Sequence, residues 1–138
     1  MVIALFYAYN LSMGYIRYNS NPCGKNTADC TVRALSTLFG EEWDSIYLQL
    51  CLLGLSMCEM PSQKAVIHEF MKQNGYERHI IPDTCSACYT VEDFTKDHPH
   101  GSYLLATDSH VIPVISGFFV DSWNSAQEYP LFYWSKGA

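Results

Sequence analysis

Cys30, His110 and Asp121 are the residues of this chain whose types and spacing suit nucleophilic chemistry. A neutral thiol is a poor nucleophile, so a reactive cysteine sits where its thiolate is favoured: at the positive end of a helix, or beside an imidazolium. Asp29-Cys30 opens an amphipathic stretch in which Thr27 or Asp29 caps a helix, Val32, Leu35 and Leu38 form its buried stripe, and Gly40 stops it. Cys30 thus falls in the first turn, where its N–H has no carbonyl one turn back and can serve an oxyanion. A carboxylate beside a thiol opposes ionisation, so Asp29 is expected to turn its charge onto backbone N–H groups as the cap. By itself a cysteine at a helix start is more often a buried small hydrophobe.

The downstream segment adds the missing partners. With Ser116-Gly117 as a two-residue turn, Ile115 faces Phe118, Ile112 pairs with Asp121, and His110 pairs with Trp123. Side chains 110, 112, 121 and 123 then share a face, and His110 and Asp121 are diagonal neighbours, roughly 7 Å apart at the backbone. A carboxylate there fixes the imidazole tautomer and supports its protonated form. Trp123 shields the bond from water.

The elements that must position these groups change period midway. Tyr15 to Asn19 reads as a short strand or extended arm, and Asn19 to Asn26 as a turn-rich loop. After the helix at Cys30, a second begins near Glu41-Glu42 and carries Trp43, Ile46, Tyr47 and Leu50, with Gly54 weakening or ending it. A third starts at Pro61-Ser62, turns Val66, Ile67, Phe70 and Met71 inward, and stops at Asn74-Gly75. Strands follow at Tyr76 to Ile81, Ser102 to Thr107, His110 to Ile115, Phe118 to Trp123 and Pro130 to Trp134. A loop at Pro82 to Ala87 and a short capped helix from Thr90 intervene. Helices followed by strands define an α+β fold, with N-terminal helices packed on a C-terminal antiparallel β-sheet.

The 138 residues suffice for one core, read as a single domain over 13–138 with 1–12 as an N-terminal extension. Residues 1–12 lack a basic n-region and a small-residue cleavage site, unlike a signal peptide, and are too short to span a bilayer. A net charge of −6 without a basic run argues against nucleic acid and anionic membrane surfaces as partners. The six cysteines lie in a chain with its own apolar core, which favours a reduced, cytoplasmic protein over a disulfide scaffold.

Asp29-Cys30-Thr31-Val32-Arg33-Ala34-Leu35, then Ser109-His110-Val111-Ile112-Pro113-Val114, then Asp121-Ser122-Trp123 resembles the papain-like cysteine peptidases in chain order and context. Their orienting residue often stands in an Asn-Ser-Trp motif, matched here by Asp121-Ser122-Trp123. The chain is also similar, over roughly residues 13 to 135, to small proteins of gut Firmicutes and their phages that begin Tyr-Ile-Arg-Tyr-Asn-x-Asn-Pro. It resembles too the bacteriocin-processing double-glycine peptidases, which use Cys-His-Asp. The resemblance implies a papain-like fold and a cysteine hydrolase (peptidase, isopeptidase or amidase). It further implies a triad of Cys30, His110 and Asp121, a covalent thioester, a peptide or protein substrate and no cofactor. Papain-like enzymes carry an oxyanion-donating glutamine six residues before the cysteine, where this chain has Gly24. Asn26 is the nearest amide and the expected donor, with Asn21 and Lys25 as alternatives. The missing glutamine motivates a second expectation, an inactive binding protein on the same fold, such as a phage-encoded inhibitor or counter-defence factor. A cell-wall peptidase, whose helix also begins Asp-Cys, is a further option.

Other patterns are weaker. Cys85-Ser86-Ala87-Cys88 with His98 and His100 has the spacing of a zinc site, but solvent-loop cysteines are the favoured reading. His68 reads as a surface or interface residue and His79 as a strand residue. The aromatic tail (Tyr129, Phe132, Tyr133, Trp134) reads as sheet core, with the lining of a substrate cleft as the alternative.

Overall fold

In the computed structural model, which describes residues 14–82 and 88–137, the chain runs β1 (Tyr15–Arg17), α1 (Cys30–Phe39), α2 (Trp43–Met57), α3 (Lys64–Gln73), β2 (Tyr76–Ile80), α4 (Val91–Asp97), β3 (Ser102–Ala106), β4 (Val111–Ile115), β5 (Phe118–Asp121) and β6 (Phe132–Lys136). This is an α+β fold. The proposed extension at 1–12 and most of the loop after Pro82, with Cys85, lie outside the described residues.

The sheet has the order β1-β5-β4-β3-β6-β2 and is mixed, which corrects the antiparallel expectation. The arm at Tyr15 adds to one edge parallel to β5, from Tyr15↔Phe119 to Arg17↔Asp121, because the helices and strands between them supply the long crossover that parallel pairing needs. At the other edge β2 pairs antiparallel with β6. The two halves of the sequence therefore share one sheet.

Alternation along the strands splits the core between the two sheet faces. Leu104, Ala106 and Val111 pack with Leu35, Ile46, Leu50, Val66 and Met71 from α1, α2 and α3. Leu105, Ile112 and Val114 pack with Val91 and Phe94 from α4. Helix α1 is covered beyond its apolar stripe: Arg33, Ser36 and Thr37 are buried too, while Val32 and Leu38 are only half-buried.

Local signals act as their chemistry dictates, with two exceptions. Gly40 ends α1 in the left-handed region, and Thr90 and Asp93 form a capping box at α4. Gly54, by contrast, does not end α2, which continues to Met57 and stops with Cys58 at φ 55°. This glycine serves packing, since a Cβ there would lie 2.7 Å from the Glu59 carbonyl oxygen as the chain folds back over the helix. Pro61-Ser62 form a turn, and α3 starts at Lys64.

The hairpin that matters for the site has Ser116 at φ 51° and Gly117 at φ 78°, the paired positive angles of a type I′ turn. Its ladder holds only Ile115↔Phe118 and Val114↔Phe119. Pro113, with no N–H to donate, sits where the ladder towards β5 ends. Beyond it the strands are joined by side chains.

Candidate active site

Cys30 is the first residue of α1, and α1 packs on β4 in the interior of the sheet. His110 lies one residue ahead of β4, and Asp121 is the last residue of β5. Nε2 of His110 is 2.6 Å from Oδ2 of Asp121, so it is the other ring nitrogen, Nδ1, that is left to serve the neighbouring Cys30 thiol. The backbone N–H of Val111 and the hydroxyl of Thr31 are also near enough to favour the ionised Cys30 sulfur. The ring of Trp123 covers His110 at a centroid distance of 5.4 Å. The imidazole and carboxylate are thus hydrogen-bonded to each other, and the thiol shares their cleft.

Its charges are set by these contacts. Burial pushes the Cys30 thiol up, but the His110 hydrogen bond, the Val111 N–H, the His110 charge and Thr31 outweigh it and hold the thiol below its ordinary value. Burial disfavours the His110 imidazolium, yet the bonds to Asp121 and Cys30 and the charges of both raise it to about 9. Burial likewise opposes the Asp121 carboxylate, and His110, Ser125 and the Ser122 N–H hold it low. These contacts all act in the direction of a thiolate–imidazolium pair.

Asp29 behaves differently from the expectation. Its side chain makes no capping bond. Oδ1 accepts from Arg33 Nε at 2.7 Å, and Oδ2 from Trp43 Nε1 at 2.9 Å and Asn21 Nδ2 at 3.1 Å. The conflict with the neighbouring thiol is relieved by a cation and two neutral donors, not by the helix. Arg33, Trp43 and Ser125, whose hydroxyl donates to Asp121 at 2.7 Å, were not legible as site residues. For Arg33 the signal was present in the Asp29–Arg33 spacing of one helical turn.

A cleft of about 520 Å³ opens over the sulfur, lined by Asn26, Cys30, Gln63, Lys64, His110 and Trp123 among others. Asn26 is exposed on its rim. Neither Gly24 nor Lys25 lines it. Asn21 is committed elsewhere: its amide donates to Asp29 and its Oδ1 accepts from the N–H of Cys23 at 2.9 Å, which closes the loop ahead of α1. Gln63 is a second amide side chain on the cleft wall that the sequence did not point to.

The remaining candidates have structural partners. His68 accepts from the buried Trp134 indole at 3.1 Å, and His79 meets Ser135 at 2.8 Å across β2 and β6. His98 turns back on α4, with Nδ1 3.0 Å from the Phe94 carbonyl oxygen and its ring stacked on Phe94. Among the described residues no cluster of three His, Cys, Asp or Glu side chains is arranged to hold a metal ion, and no helix is long and apolar enough to cross a membrane. Tyr129 is exposed, whereas Trp134 is core.

No family model matches this chain, and neither does any curated protein or any solved structure.

Proposed function

We propose that this protein is a cysteine hydrolase of papain-like architecture that acts in the cytoplasm on a peptide, isopeptide or other amide bond of a peptide or protein substrate. The Cys30 thiolate attacks the carbonyl carbon, and the oxyanion that forms is met by the Cys30 N–H and the Asn26 amide. His110 gives its Nδ1 proton to the leaving amine as the C–N bond breaks, leaving an acyl thioester on Cys30. A water then attacks the thioester, His110 takes its proton, the acid departs and the thiolate returns. Asp121 holds the ring through Nε2 throughout. The observation that carries this reading is the 2.6 Å His110–Asp121 bond in the same cleft lining as Cys30 at the start of α1.

The test is alkylation by iodoacetamide below neutral pH, with each cysteine followed by mass spectrometry. Cys30 reacts faster than the other cysteines and loses that advantage in His110→Ala. Equal reactivity across all of them overturns the reading.

One observation favours a second reading, a binding protein on this fold. Leu48, Leu52 and Leu55 fall on one face of α2 and are 61%, 66% and 76% exposed. In that case a purified partner bound by the native protein is bound equally by Cys30→Ala and is lost in Leu48→Asp/Leu52→Asp. On the enzyme reading, Cys30→Ala abolishes turnover and the leucine variants keep Cys30 reactivity.

A further inference from the structure

The proposed reaction leaves a charge problem at Cys30, because Asp29 precedes the nucleophile and Asp121 adds a second buried carboxylate. Arg33 lies between them, 9% exposed. Its Nε is 2.7 Å from Asp29 Oδ1, and its Nη1 is 3.3 Å from Asp121 Oδ1 and 3.0 Å from Ser122 Oγ. We propose, resting on the cysteine-hydrolase reading, that Arg33 is a positioning residue for this chemistry: one guanidinium cancels the carboxylate beside the sulfur and fixes the carboxylate that orients His110.

The residue type fits the task. Arginine stays charged when buried and spreads its donors over a planar fork, so it reaches two carboxylates and a hydroxyl at once. Lysine delivers the same charge from a single point. Asp29, Asp121, Arg33 and the His110 imidazolium sum to zero, so the thiolate is the one uncompensated charge in the group. Without Arg33 the thiolate would form beside an excess of negative charge. The other charged groups lining the cleft are Lys64 and Asp108, with Lys64 bonded to the Asp108 carbonyl at 2.9 Å. On β1, Arg17 pairs with Asp121 in the ladder, while the Tyr15 hydroxyl donates to the Asp121 carbonyl at 3.3 Å. Glu41, Glu42 and Asp44 at the start of α2 line a separate cavity beside Trp43 and are exposed. None of these lies between Asp29 and Asp121 as Arg33 does. Buried ion pairs contribute little net stability but fix geometry, which is the role assigned here.

The experiment compares the native chain with Arg33→Met, Asp29→Asn and the double variant. Two titrations are read: the pH dependence of iodoacetamide alkylation at Cys30, and the NMR titration of the His110 ring. Removing the cation raises both midpoints in Arg33→Met by about one pH unit, a tenfold loss of thiolate at a fixed pH below the midpoint. Removing the anion lowers both in Asp29→Asn, and the double variant returns close to native. A purely structural role changes the melting temperature or the amplitude and leaves the midpoints where they were. Unmoved midpoints, or midpoints moving in the opposite directions, overturn the proposal. If Arg33→Met does not fold, Asp29→Asn decides alone: a downward shift supports the proposal, and none or an upward one overturns it. A native Cys30 that titrates like an ordinary thiol removes the hydrolase reading itself. An acidic native Cys30 with unresponsive variants removes only the role of Arg33.

Discussion

His110 and Asp121 are joined by a 2.6 Å bond from Nε2 to Oδ2 across the mouth of a hairpin whose backbone ladder has already stopped at Val114↔Phe119. The side chains take over where Pro113 cannot donate, and a charge-assisted bond of this kind is stronger than the neutral ladder bond it follows. In Asp121→Asn the imidazolium loses its counter-charge, so His110 falls from about 9 towards the ordinary histidine value. NMR titration of the ring checks this. The same variant lowers kcat on any amide substrate by at least about tenfold, since proton donation to the leaving group needs the held imidazolium.

Trp123 gives an optical report of the same ring. Its indole lies 5.4 Å from the His110 ring, and a cation beside an indole is attracted to it and quenches its emission. Tryptophan fluorescence rises as pH increases through about 9, where His110 deprotonates. The rise is absent in His110→Gln and in Trp123→Phe. A rise that survives either variant comes from Trp43 or Trp134 and removes the assignment.

What the sequence made legible follows from how local each signal is. The Ser116-Gly117 turn is written in two residues and sets the pairs Ile115↔Phe118 and Val114↔Phe119. The expected Ile112–Asp121 and His110–Trp123 pairs lie beyond the end of that ladder, and His110 meets Asp121 through side chains. The helix start at Cys30 is equally local. The Asp29 carboxylate was not legible, because its partners Asn21 and Trp43 come from a loop and a second helix whose approach no periodicity encodes. Arg33 was hidden for a related reason. An arginine in an amphipathic helix is ordinarily solvated, whereas here it is buried in contact with Asp29 at the start of its own helix and with Asp121 and Ser122 from beyond it. The short strand at Tyr15 was legible but its parallel pairing was not, because three residues carry no mark of direction.

Gly54 reverses a common rule. Replacing glycine by alanine inside a helix ordinarily stabilises by roughly 0.5–1 kcal/mol. Here the added Cβ meets the Glu59 carbonyl oxygen at 2.7 Å and Pro61 backbone atoms at 3.3 Å, so the return of the chain must shift. Gly54→Ala is therefore destabilising, by about 1–3 kcal/mol as an overpacked site. Urea denaturation reads the sign. A more stable variant shows that the Glu59–Pro61 segment yields freely. Because Ser62 and Gln63 line the cleft, the displaced segment also alters substrate affinity while Cys30 alkylation by a small reagent is unchanged.

Stability should depend on pH in two separate windows. Asp29 and Asp121 are held below the ordinary carboxylate range despite their burial, by Arg33, Asn21 and Trp43 in one case and by His110 and Ser125 in the other. For a depressed carboxylate the unfolded chain binds the proton first. The stability they contribute is thus present above about pH 4 and lost as pH falls through their folded values. His110 has the opposite sign. Raised to about 9, it contributes stability that is complete below the unfolded histidine value of about 6.5 and disappears as pH climbs through 9. Cys30, held low, partly offsets that loss, because the unfolded thiol still binds a proton where the folded one does not. Cys30→Ser removes the offset, so its urea midpoint declines more steeply than native between pH 7 and 9. In Asp29→Asn the decline on the acid side is shallower than native. Identical slopes for native and Asp29→Asn between pH 5 and 2.5 show instead that Asp29 is not held low in the folded chain.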